Sequence, residues 1–146
     1  CDEAKRCLHD AICVVRNMVR NQSVVGGGGS AELACSIEIS KEADKIKGVE
    51  QYAVRAFGDA LEEIPMTLAE NSGYNPIEYV SKLREEQVKD ENPFLGVDAM
   101  HKGVRNMIEQ GIYESVASKK HQLQLATQVV KMILKIDDVI APQEYE

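Results

Sequence analysis

Tryptophan is absent from this sequence, phenylalanine occurs twice and tyrosine five times. A core built from it cannot rest on stacked rings and must be made of Leu, Ile, Val, Met and Ala, as in many helical proteins. No apolar run approaches the ~20 residues that a membrane-spanning helix requires. A basic excess is also missing. Seventeen Lys and Arg stand against 24 Asp and Glu, for a net charge of −7. With no basic patch, neither nucleic acid nor an anionic membrane is expected as a partner. The cysteines Cys1, Cys7, Cys13 and Cys35 form no CxxC pair and no Cys/His zinc spacing. Cys7 and Cys13 fall in an amphipathic helical pattern, so buried, reduced thiols in a cytosolic protein are expected. The opening "CDEAKRCLHD" has acids and no apolar stretch, unlike a signal peptide. Its first residue is Cys rather than Met, as expected of a processed chain or of part of a longer one.

What is present is helical periodicity over 146 residues, enough for one domain with a real core. Ala4, Cys7, Leu8, Ala11, Ile12, Val15, Met18 and Val19 share one arc and predict a helix over 3–20. "NQSVVGGGG" breaks it, and a second helix is expected over about 30–44, with Ala31, Ala34, Cys35 and Ile37 packing. A third is expected over about 49–70, with Tyr52, Phe57, Leu61, Ile64 and Leu68 on its apolar face and a kink at Pro65. Gly73 ends it, and Asn75-Pro76 caps a fourth helix to about 88, with Ile77, Val80 and Leu83 inward. Residues 90–114 are punctuated by Gly96, Gly103 and Gly111 and read as a loop with a small β-hairpin and a short helical turn. A last helix spans about 115–135, with a short strand at 138–141. The fold class is mostly α.

The run Gly26–Gly29 sits at the entry to the second helix. Glycine loses the most freedom on folding, so four in a row need a backbone that something approaches closely. The run is either a tight turn between helices or a cradle whose N–H groups meet an anion or a flat ligand. It matches neither GxxxxGK[ST] nor GxGxxG. Asp10 lies at the edge of the first apolar arc. It is either a surface acid paired with Arg6 or a carboxylate that orients water or holds Mg²⁺. Its neighbour His9 is expected to point elsewhere on the helix. Asp98 and Glu114 suit turn and cap chemistry or hydrogen bonding to a ribose or base.

Four pieces in series resemble the group II chaperonins, including their eukaryotic cytosolic members. "AKRCLHDAICVVRN" resembles their ER-LHDAL-V-RN stretch, and "VVGGGGSAE" resembles VV-GGGA-E. "YAVRAFGDALEEIPMTLAENSGYNP" resembles A--AFA-ALE-IP--LAEN-G-DP, and the remainder from "NPFLGVDA" onward resembles their closing section. The likeness covers nearly all of the chain.

The resemblance implies an intermediate-domain return segment over 1–20 and the C-terminal half of a helical equatorial domain over 21–146. It implies a subunit of a double ring that binds and hydrolyses MgATP in the cytoplasm and folds unfolded proteins through segments outside this chain. Asp10 matches the catalytic aspartate that positions the attacking water. Gly27, Gly28 and Gly29 match the backbone against the nucleotide's sugar and base. Gly96, Val97 and Asp98 match the adenine side, and Glu114 the acid that meets the ribose. Glu32 matches an acid to which no role is assigned. The metal ligands and the phosphate-binding GDGTT loop belong to a family segment absent here, so no metal ligand is assigned to this chain. Two departures stand out: relatives often carry a side chain at the position of Gly26, and many have a proline just after the acid matched by Glu114. The alternative function is a ring-assembly module with little or no ATP turnover.

Overall fold

The computed structural model describes residues 2–140. Among the described residues six helices form in chain order: α1 Asp2–Arg20, α2 Ser30–Ala43, α3 Glu50–Asn71, α4 Pro76–Lys89, α5 Met107–Gln110 and α6 Val116–Ile133. Two three-residue strands, β1 Val24–Gly26 and β2 Tyr113–Ser115, pair as a small sheet. The chain divides into two compact units, one of residues 24–114 and one of residues 1–23 with 115–146.

In the first unit the helix ends follow local chemistry. Asn75 lies in the extended region and its side chain accepts from the Glu78 N–H at 3.4 Å, while Pro76 opens α4. Gly73 adopts φ +82° and donates its N–H to Glu70 O at 2.9 Å, while Tyr74 N–H reaches Ala69 O at 3.0 Å. That left-handed stop ends α3. α2 packs on α3, and α3 on α4. Gly58 lets α2 approach α3 closely, since a methyl group there would lie 3.2 Å from Ile39 Cγ2. Leu33, Ile37, Ala69, Val80, Leu83 and Val97 form the core, with Met66, Leu68 and Leu95 packed against it. Full burial of each large aliphatic contributes roughly 1.5–3 kcal/mol. A polar clip joins all three helices: Ser36 Oγ donates to Glu62 Oε1 at 2.7 Å, and Arg84 pairs with the same carboxylate.

The hairpin expected within 90–114 is a single antiparallel bridge between Leu95 and Asn106. Gly96 N–H donates to Arg105 O and Met107 N–H to Phe94 O, both at 2.9 Å. The expected helical turn is α5.

Three inward faces differ from expectation. α3 buries Gly58, Leu61, Pro65 and Ala69, and leaves Tyr52, Phe57 and Ile64 exposed. The helix has two apolar arcs, and the arc with small residues meets α2. Ile77 is 68% exposed, and the buried face of α4 is Val80, Leu83 and Gln87. α2 centres its buried face on Leu33 rather than Cys35.

In the second unit, α1 and α6 have no buried residue among those described, and Val116 N–H donates to Ser23 O at 3.1 Å. Burial of the cysteines is therefore corrected. Cys7 and Cys35 are exposed and Cys13 is half-buried, all with free thiols: the apolar arc of α1 is uncovered among the described residues, and Cys35 lies off the buried face of α2, which is centred on Leu33. Cys1 lies outside the described residues. The strand expected at 138–141 is absent from 138–140, and Ala141 lies outside the described residues.

Candidate functional site

The glycine turn is explained by what surrounds it. A methyl group on Gly28 would sit 2.6 Å from Met107 Sδ and 3.0 Å from Val97 O, and one on Gly29 2.8 Å from Pro65 Cβ. Both residues have left-handed φ, +63° and +75°, which only glycine adopts cheaply. Gly96 is equally constrained, since its Cβ would meet Gly27 O at 2.8 Å and Gly28 O at 3.0 Å. The backbones of 26–29 and 95–97 thus touch, and Val97 N–H donates to Gly28 O at 2.8 Å. Gly27 N–H donates to Ile112 O at 3.1 Å. A methyl group on Gly27 would lie 3.4 Å from Glu114 Oε1. Three stretches far apart in sequence therefore converge: Gly27, Gly28 and Gly29 with Gly96 and Val97 on one side and Glu114 on the other.

Asp98 is buried beside this cluster, and its carboxylate serves its own loop. Oδ2 accepts from Gly103 N–H at 2.7 Å and Oδ1 from Gln110 Nε2 at 2.9 Å. Burial alone would raise its pKa. The Gln110 bond and the backbone N–H groups of Lys102, Gly103 and Met100 outweigh burial and hold the pKa below the usual aspartate value. Asp98 N–H donates to Tyr79 Oη at 3.2 Å. Tyr74 Oη lies 3.0 Å from Asp98 O and 2.8 Å from His101 Nδ1. A carbonyl only accepts, so the Tyr74 hydroxyl is the donor to Asp98 O. The Tyr74 and Tyr79 rings stack at 4.4 Å, and the Arg105 guanidinium lies 5.2 Å over Tyr79.

Asp10 belongs to the other unit, on α1, with its side chain 83% exposed. Its expected partner Arg6 pairs instead with Glu3 at 2.6 Å. His9 Nδ1 lies 3.7 Å from Asp10 Oδ1, too long for a hydrogen bond, so the two adjacent residues form no hydrogen-bonded pair. Glu32 is buried in the first turn of α2. Partial burial and the Glu32 carboxylate push the Cys35 thiol above its usual range, which keeps it protonated at neutral pH.

Met107 and Gln87 support the site and were not singled out from the sequence, and Pro65, expected only as a kink in α3, packs against Gly29. Gln87 Nε2 donates to Leu95 O at 2.7 Å and to Ser30 O at 3.2 Å. Its signal is a polar residue in register with Val80 and Leu83. A groove of about 720 Å³ between α3 and α4, lined by Met66, Ile77, Val80 and Val88 among others, shares none of the converged residues. We place the site at the convergence because its carboxylate and close-packed glycine backbone carry chemistry that an apolar groove lacks. A nucleotide's sugar suits the Glu114 carboxylate beside Gly27, since a carboxylate accepts from hydroxyls. Its phosphates and metal do not fit these residues alone. No group of three or more His, Cys, Asp or Glu among the described residues could hold a metal ion.

Comparison with known proteins identifies the family. Residues 1–144 match the TCP-1/cpn60 chaperonin family. The chain is 46% identical over 140 residues to T-complex protein 1 subunit epsilon of Encephalitozoon cuniculi, covering 96% of this chain and 26% of that protein. It is 40% identical over 139 residues to T-complex protein 1 subunit delta of Rattus norvegicus, covering 95% of this chain and 26% of that protein. The chain thus spans about a quarter of the length of these relatives. The epsilon likeness agrees with "KKHQLQLATQVVKMILKIDDV" at 119–139, which looks most like that subunit. A solved structure, the open-state monomer of a group II chaperonin from Methanococcoides burtonii, superposes with a TM-score of 0.81 at 37% identity, covering 92% of this chain and 33% of that one. No described helix is long and apolar enough to cross a membrane. With a family match over nearly its whole length, this chain belongs to the TCP-1/cpn60 chaperonin family.

Proposed function

We propose that this chain forms one wall of the nucleotide site in an ATP-dependent ring chaperonin subunit of the cytoplasm. Residues 1–20 are the return segment of the intermediate domain, and 21–146 the C-terminal half of the equatorial domain. Other subunits of a double ring and unfolded proteins are its partners. The single observation that supports this most is the convergence of Gly27, Gly28, Gly96, Val97 and Glu114 from three separate stretches. Gly27, Gly28 and Gly29 present backbone to the sugar and base, Gly96 and Val97 flank the adenine, and Glu114 accepts from the ribose hydroxyls. Asp98 contributes by holding its loop. Bound MgATP supplies the phosphoanhydride that water cleaves, with the metal ligands coming mainly from outside this chain. Asp10 orients that water by accepting its hydrogen bond, a positioning and electrostatic role.

A second reading, a ring-assembly module with little turnover, is favoured by a different observation. The apolar arcs Leu8, Ile12, Val15 and Val19 of α1 and Val129, Val130 and Ile133 of α6 are exposed, as surfaces awaiting a neighbour are. The deciding experiment is ATP binding and single-turnover hydrolysis by the assembled full-length subunit, wild type against Asp10→Ala. Retained binding with hydrolysis lost supports the ATPase reading. Equal hydrolysis, or none in the wild type, overturns Asp10 as catalytic and favours assembly.

A further inference from the structure

We propose that Gln87 is a positioning residue of this site, acting on the nucleotide through the two backbone segments it holds. The proposal rests on the nucleotide reading above. Gln87 is 5% exposed and lies on the buried face of α4 with Val80 and Leu83. Its Nε2 reaches Leu95 O at 2.7 Å and Ser30 O at 3.2 Å. Leu95 immediately precedes Gly96, and Ser30 immediately follows Gly29. One amide therefore fastens to α4 the root of each segment that the Val97–Gly28 bond joins further in.

Both neighbours are carbonyl oxygens, which only accept, so the amide nitrogen has to face them. The other end of the side chain supports the same conclusion. Gln87 Oε1 is buried without a hydrogen-bond partner, which destabilises the fold. An apolar side chain of the same size would avoid that penalty and still fill the space. What it would lack is the two donated bonds. Without them, Leu95 O and Ser30 O lose a partner, and 95–97 can shift against 26–29. A small displacement of groups that touch a ligand weakens its binding even when the fold survives.

Two variants in the assembled full-length subunit test this, read by calorimetric binding of ADP between pH 5 and pH 8. Gln87→Glu places a carboxylate against two carbonyls, so ADP binding at pH 8 should weaken about tenfold or more, as for one lost charge-affected contact. Burial between acceptors raises that carboxyl's pKa. In acid it gains a proton to donate to Leu95 O, and affinity relative to wild type should return. Gln87→Met donates nothing, so its loss should be similar at every pH. The charged groups lining the groove beside Gln87 are Glu38, Lys41 and Glu91, and they are common to all three proteins, so the wild-type profile removes their effect. If the wild type binds ADP and both folded variants match it at every pH, Gln87 only stabilises the fold and the proposal is overturned. If Gln87→Glu does not fold, unchanged affinity of Gln87→Met overturns it alone. If the wild type binds no ADP, the nucleotide reading falls first and the proposal falls with it.

Discussion

The backbone N–H of Val97 donates to the carbonyl of Gly28 at 2.8 Å. This bond fastens the glycine turn to a loop that lies beyond three intervening helices, α2, α3 and α4. It can form only because Gly28 and Gly96 leave no Cβ between the two backbones.

Gly28→Ala should therefore destabilise the protein by about 2–4 kcal/mol, from left-handed backbone strain plus overpacking against Met107. Gly73 has a similar φ of +82° but nothing within 4 Å of its Cβ position. Gly73→Ala should cost only the strain, about 1–2 kcal/mol. Urea unfolding of both variants measures the difference, and equal losses would show that the close approach at Gly28 contributes nothing.

Leu33 is fully buried and Ile77 is 68% exposed, although both sit in apolar helical patterns. Leu33→Ala should lose about 2–5 kcal/mol. Ile77→Ala should stay within about 0.5 kcal/mol of wild type in the isolated chain. Thermal denaturation checks the ranking, and a large effect at Ile77 would mean that this face is covered.

Glu62 accepts from Ser36 and pairs with Arg84, with its side chain only 18% exposed. Glu62→Ala leaves the buried Ser36 hydroxyl without this acceptor and should cost about 1–3 kcal/mol. Breaking the exposed Glu38–Lys41 pair with Glu38→Ala should cost less than about 1 kcal/mol. Denaturant midpoints of the two variants, with and without added salt, separate the cases. Salt should weaken only the exposed pair.

Asp98 has a folded pKa below its ordinary value. Its carboxylate therefore stabilises the fold fully above the unfolded value of about 3.9, and this contribution is lost as pH falls through the lower folded value. Asp98→Asn should be less stable than wild type at pH 7, and the gap should close as the pH drops below about 4. Unfolding free energies of both proteins from pH 7 to pH 2 test the sign. A gap that widens in acid would contradict it.

Much of the helical framework was legible because its signals are local. Asn75-Pro76 and Gly73 act within a few residues of themselves, so the ends of α3 and α4 fell within a residue or so of expectation. The inward face of α3 was not legible. Its sequence carries two apolar arcs, and only the fit of Gly58 against Ile39 selects one. Cys7 was expected inside because α1 has a clear apolar arc, yet an arc states what can be buried and not whether a neighbour covers it.

The site divides along the same line. The glycine run, the "LGVD" piece and Glu114 could be singled out as motifs in a linear string. That Gly27 meets Glu114, that Val97 bonds to Gly28 and that Gln87 holds both roots are long-range contacts, and no local pattern encodes them. Residue type and spacing by themselves determined the helices and their caps, because propensity, capping and periodicity act over one or two turns, while the family was legible only through the resemblance of four motifs in series. Only the tertiary structure decided which atoms the glycines admit and where the carboxylate of Asp98 spends its hydrogen bonds. Those outcomes depend on backbones from distant segments approaching within van der Waals contact, which packing alone sets.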